Sequence, residues 1–328
     1  MQRRQVLAAF GALLSAGCLG AERPDSSGGV RTEGAVTNRP ATPTDTPTPT
    51  PEPTDTPTAT PEPGPSEEEV EAGEEAISDV QSEFGAVVEA YTGDDEGELI
   101  EVSITNTEFD VRQVLLALDS VQRALVAAED AAVTDEQTET VADLQVAKEF
   151  LTQSALVHSY FVECIDRLDA THDAFSEDLD EVESAESQFD TTLDRASEGV
   201  STLKNDVEAD PIEVAEPFDD DTYDDTVSAF ESVRSVFEDA SSGLDRMIQG
   251  IDELEQARDD EDDGDDDDAE DASDEARELF DEAYDFFDDA ADAAGDADAD
   301  DLESLLEDLR EVADDRYSEA EDLYDDVS

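Results

Sequence analysis

YDDTVSAFESVRSVFEDASSGLDRMIQGIDEL, residues 223–254, carries an apolar side chain at every seventh position and a companion three residues further on. Tyr223, Phe230, Phe237, Leu244 and Ile251 form the first row; Val233, Ala240, Met247 and Leu254 form the second. This period suits the turn of an α-helix and is incompatible with the two-residue alternation of a strand. A seam of this kind is narrow and needs a partner helix to cover it.

The same three- and four-residue steps continue towards the N-terminus. Val70, Ile77, Val80, Phe84, Val87 and Tyr91 share one face, with Gly93 as a stop signal. Leu99–Thr105 is β-branched and fits either a short extended link or a helix. Thr107 is placed to cap the next helix, with Asp110 closing a capping box, and that helix buries Val111, Val114, Leu118, Val121 and Leu125. It ends near Thr134. A third segment from about Glu136 holds Val141, Leu144, Leu151, Ala155, His158, Val162, Ile165 and His172 in step. The alternation slips at Phe175, where a tight turn is expected, with Ser176 as N-cap of a fourth helix. That helix carries Leu179, Val182, Phe189, Leu193, Val200, Leu203 and Val207 and stops at Pro211. Residues 66–258 are thus expected to fold as an all-α, elongated antiparallel helical bundle or set of coiled-coil-like hairpins.

Beyond it, residues 259–275 (DDEDDGDDDDAEDASDE) hold thirteen acids in seventeen positions and read as an acidic linker. Residues 276–328 read as an acidic C-terminal helical hairpin. Its first helix has Ala276, Phe280, Ala283, Phe287 and Ala290, its turn is DAADAAGDADADD, and its second helix starts at Leu302.

The charge balance is extreme, with 96 acidic against 17 basic residues and a formal net charge of −79. Such a field repels nucleic acid, whose binders must displace counterions with basic groups. Fifteen of the basic residues are arginine; only Lys148 and Lys204 are lysine. At about 1 M salt the Debye length falls to roughly 3 Å, so neighbouring carboxylates scarcely interact. An acidic, lysine-poor surface therefore reads as one suited to molar salt. Two cysteines and two histidines are too few for a zinc site or a disulfide scaffold. No phosphate loop, nucleophile elbow or HExxH helix occurs, and no enzyme activity is expected.

Residues 1–17 read as a signal peptide, with Arg3 and Arg4 ahead of an apolar run too short to span a bilayer. Residues 18–65 follow as a disordered linker: eleven of the thirteen prolines lie there, alternating with threonine, and no residue period is present. A polyproline II chain of this length extends about 3.1 Å per residue and serves as a stalk. RRQVLAAFGALLSAGCLG, residues 3–20, resembles the leader of haloarchaeal twin-arginine-exported lipoproteins. The resemblance covers only the leader, its lipobox and the style of linker. Ser15 stands where the family's box has leucine, and Leu14 lies one position further out. The resemblance implies export through Arg3 and Arg4, lipidation of Cys18, and attachment to the outer face of the cell membrane. The expected partners are the membrane through that lipid, an envelope protein, or a second copy of the chain through its helices.

Three features invite a chemical reading. Asp259, Glu261, Asp263, Gly264, Asp265, Asp267 and Glu270 match the spacing of an EF-hand loop, although the third position is glutamate and the eighth is Asp266. The expectation is weak, diffuse binding of divalent cations there, or of a basic partner, without a formed metal site or a cofactor. His158 and His172 lie fourteen residues apart, about 21 Å along a helix, and are expected as packed side chains. Cys164 is expected to be buried and unreactive.

Overall fold

A computed structural model describes residues 64–92, 109–176, 179–215, 218–219, 221–297 and 299–328. All of them lie in one compact unit, Glu62–Ser328. Among the described residues there are seven α-helices, one short 3₁₀ helix and no strand. The helices are α1 (Glu67–Thr92), α2 (Val111–Ala131), α3 (Asp135–Ala174), α4 (Leu179–Asp206), α5 (Thr222–Asp263), α6 (Asp266–Asp296) and α7 (Asp300–Val327); the 3₁₀ helix is Asp210–Val214. The expected all-α bundle is what the chain forms. The leader, the proline-rich segment up to residue 63, Gly93, Leu99–Thr105 and Thr107 lie outside the described residues.

Local chemistry sets the helix starts. Ser66 and Glu69 form a reciprocal capping box: the Ser66 amide and hydroxyl donate to the Glu69 carboxylate at 2.8 Å, and the Glu69 amide donates back at 3.3 Å. Thr134 caps α3 by accepting the Gln137 amide at 3.1 Å. The Gln137 side chain accepts the Val133 amide at 3.0 Å and donates to the Val70 carbonyl of α1 at 2.8 Å. It fits there because position 73 is glycine; a Cβ would stand 2.5 Å from the amide. One residue thus starts α3 and fastens it to α1.

Two caps differ from expectation. Asp110 is itself the N-cap of α2, accepting the Arg112 amide at 3.0 Å, rather than the third residue of a box opened by Thr107. The shorter carboxylate reaches the second helical amide directly, so the helix begins later. Ser176 donates back to the Asp173 carbonyl at 2.9 Å and so closes α3 instead of opening α4.

The larger correction concerns residues 259–275. They are not a linker. α5 runs on to Asp263, Gly264 turns left-handed at φ 80°, and α6 begins at Asp266. The Gly264 amide donates to the Glu261 carbonyl at 3.1 Å and the Asp265 amide to Asp260 at 2.9 Å, the paired bonds that end a helix on glycine. Asp266, Asp267 and Asp268 then occupy the first turn of α6, where the helix dipole favours negative charge. Ala269, Ala272, Ser273 and Ala276 are buried beneath them. α6 therefore lies antiparallel along α5, and the C-terminal pair belongs to the same unit as the rest. The turn expected at 289–301 is also shorter, because Ala290, Ala291 and Ala294 are buried and hold α6 helical to Asp296.

Consecutive helices pack on one another throughout, and α3 and α5 act as the two long spines. At about 1.5 Å per residue they reach on the order of 60 Å each. α3 packs against α1, α2, α4, α5, α7 and the 3₁₀ helix. Aromatic rings mark the junctions: Phe161 stacks on Phe237 at 5.7 Å, and Phe150 meets Phe218 edge-on at 6.1 Å. The heptad rows of α5 point inward as expected, with Phe230, Phe237, Leu244, Val233, Ala240, Met247 and Leu254 buried.

Candidate functional site

Ionisable or polar side chains gather at three places: one buried, one half-buried on a helix seam and one in an open cleft. The first joins the C-terminal end of α1 to α3. Tyr91 and His158 are both buried, with the His158 Nδ1 3.1 Å from the Tyr91 Oη and the Ser154 carbonyl 3.5 Å from that oxygen. Phe109, just ahead of α2, stacks flat on the imidazole at 3.8 Å between centroids and 3° between planes. Burial pushes the Tyr91 phenol far above its ordinary range, so it stays protonated and serves as a hydrogen-bonding hydroxyl. Nothing in the sequence spacing marks this cluster, since its members come from three separate segments.

The second place lies on the α4–α5 seam. Glu186 and Asp190 stand one turn apart on α4 and face Asp245 of α5. The Ser241 hydroxyl donates to the Asp190 carboxylate at 2.8 Å. Partial burial, followed by the bond to Asp190 and the charges of Asp190, Asp245 and Glu183, pushes Glu186 up to about 7. A carboxyl raised on folding stabilises the fold fully below its unfolded value, and that contribution is lost as pH rises through about 7. Glu186→Gln is therefore expected to raise the thermal midpoint at about pH 8 and to change it little at about pH 4.5. Calorimetry of both proteins in the same molar salt checks this. Equal destabilisation at both pH values would show that the carboxyl is needed in either form.

The third place is an open cleft of ≈ 390 Å³ where the end of α3 meets α7. His172, Phe175 and Ser176 line one side, Val312, Asp315 and Glu319 the other. Arg316 crosses it, donating to the Phe175 carbonyl at 3.1 Å and to Glu319 at 2.9 Å. The guanidinium is thus committed to holding α3 against α7.

The acids with EF-hand spacing are not brought together. Asp259, Glu261 and Asp263 are on the last turns of α5, Asp265 is in the turn, and Glu270 is on α6, where it lies 3.4 Å from the Tyr324 hydroxyl. Two helices have taken the residues that a calcium loop needs in an open ring. Among the described residues no group of three or more His, Cys, Asp or Glu is placed to hold a metal ion. Cys164 is buried, and burial together with the Glu163 charge pushes its thiol well above the ordinary range. Cys18, Arg3 and Arg4 lie outside the described residues. Among the described residues no helix is long and apolar enough to cross a membrane. No protein-family model, curated protein or solved structure matches the chain.

Proposed function

We propose that the chain is a lipid-anchored, extracytoplasmic, non-catalytic helical protein of a high-salt cell envelope, acting as a spacer or scaffold. One observation carries the reading: Arg3, Arg4 and a short apolar run stand ahead of Cys18, a proline- and threonine-rich segment follows, and an acidic helical body comes after it. The order is that of an anchor, an arm and a load. The body supports the reading in one respect. Gln137, Tyr91 and Arg316 each use a polar group to fasten one helix to another.

Fractionation of cells in molar salt tests it. The unaltered chain is expected with the membranes, and Cys18→Ser in the medium or as uncleaved precursor. The pair Arg3→Lys and Arg4→Lys is expected to retain the chain inside the cell. Release of the unaltered chain and Cys18→Ser in equal amounts would remove the anchor; normal export of the lysine pair would remove the twin-arginine route.

A further inference from the structure

Helix α2 departs from the charge of its surroundings. It has three acids and two arginines in 21 residues, whereas α1 beside it has nine acids and no base in 26. Its inner face, Val114, Leu118, Val121, Leu125 and Ala128, is buried on α1 and α3. Its outer face presents Arg112, Leu116, Asp119, Arg123, Val126 and Asp130, all exposed, at steps of four, three, four, three and four. That is the spacing of a helix seam, here turned to solvent. Leu116 is 71% exposed and Val126 51%, the two most exposed large apolar side chains among the described residues.

The row is self-complementary when inverted about position 121. Arg112 then falls opposite Asp130, Leu116 opposite Val126, and Asp119 opposite Arg123. We infer that α2 is a self-association face, on which α2 of a second copy lies antiparallel about a two-fold axis level with Val121. Each of the two unlike-charge pairings and the leucine–valine contact occurs twice, as an isologous contact requires. A second copy is the occupant that the charges select. Arginines at 112 and 123 meet carboxylates only in the antiparallel register, and a parallel pair would oppose like charges at four positions. Asp119 and Arg123 already stand 3.4 Å apart within one helix, with side chains 69% and 70% exposed, so both can reach across. The contact covers one helix face over about 27 Å and is smaller than a standard interface, so the dimer is weak and reversible. Molar salt is its condition: it screens the exposed acids of α1, which otherwise repel, whereas the charge pairs inside the contact become partly buried on docking and are screened much less. The inference does not depend on anchoring.

Disulfide trapping of the full chain, with Cys18→Ser as background, tests the register. Buried Cys164 is left in place. Chains carrying Leu116→Cys and chains carrying Val126→Cys are mixed in about 3 M KCl and oxidised. The mixture is expected to give roughly tenfold more covalent dimer than either chain alone, because unlike positions face each other and like positions sit about 15 Å apart. Adding Arg123→Asp should abolish the excess, and Arg123→Asp with Asp119→Arg should restore it. Circular dichroism on each variant confirms unchanged helicity. Equal trapping in all three samples, trapping of like with like, or no trapping would overturn the inference. So would a monomeric Leu116→Cys chain whose introduced thiol resists a maleimide, since another part of the same chain would then cover the face.

Discussion

Gly250→Ala is expected to destabilise the protein by about 1–3 kcal/mol, and the same substitution in a Phe280→Ala background to stabilise it. In an exposed helix interior, glycine to alanine gains about 1 kcal/mol. Here a Cβ at 250 would stand 2.6 Å from Cε1 of Phe280, and one at 243 would stand 2.6 Å from Cε1 of Phe287. Both glycines lie on α5 and both rings on α6, seven residues apart in each helix, so the two seats repeat along one antiparallel seam. The rings are wholly buried. Phe280→Ala alone is expected to cost about 3–5 kcal/mol through lost contact and the cavity left behind. With the ring gone, the alanine methyl at 250 fills part of that space and the helix propensity gain returns. Gly85 has nothing within 4 Å of its Cβ position, so Gly85→Ala should give the ordinary stabilisation and serves as control. Denaturant midpoints in molar salt decide the matter. Stabilisation by Gly250→Ala in the unaltered chain would mean that α5 and α6 are not packed this closely.

That seam also shows what can be read from the sequence. The rows from Tyr223 to Leu254 announce a helix, its buried face and the need for a partner, because side-chain period is a local property. They do not identify the partner. Gly243 and Gly250 look like weak points in a helix until Phe287 and Phe280 are set against them. The acidic run 259–275 misleads for a related reason. Thirteen carboxylates dominate its composition, while Ala269, Ala272 and Ala276 carry a helical stripe that adds little hydrophobicity yet suits close packing on α5. The turn at Phe175 is legible because the period itself slips there. The Tyr91–His158–Phe109 cluster is not, since it joins residues up to 67 apart through contacts that no spacing encodes.

Salt should control folding more strongly than any single substitution. The chain carries −79 charges, and like-charged residues one turn apart on a helix each cost about 0.2–0.5 kcal/mol when unscreened. Dozens of such pairs add up to on the order of 10 kcal/mol, comparable with the whole stability of a domain. The strain also crosses helix boundaries. Partial burial and facing carboxylates raise Asp239, beside Asp289, and Glu253, beside Glu275, both across the α5–α6 seam; Glu186 and Asp245 are raised across α4–α5. Arginines offset part of this where they bridge helices: Arg246 to Glu282 at 2.9 Å, Arg258 to Glu319, and Arg310 to Asp288. Only two of these bridges reach α6, which carries fifteen acids and one arginine. Far-ultraviolet circular dichroism of the full chain should therefore show a helical spectrum in about 2–4 M KCl and progressive loss below about 0.5 M. α6 and α7 should leave first, because their acids are densest. Hydrogen exchange followed by segment reads that order. Lowering the pH to about 5.5 should replace part of the salt, since the raised carboxyls protonate first and their contribution to stability is lost only as pH rises. A fully helical spectrum in dilute buffer at about pH 8 would mean that the helix packing outweighs the repulsion unaided.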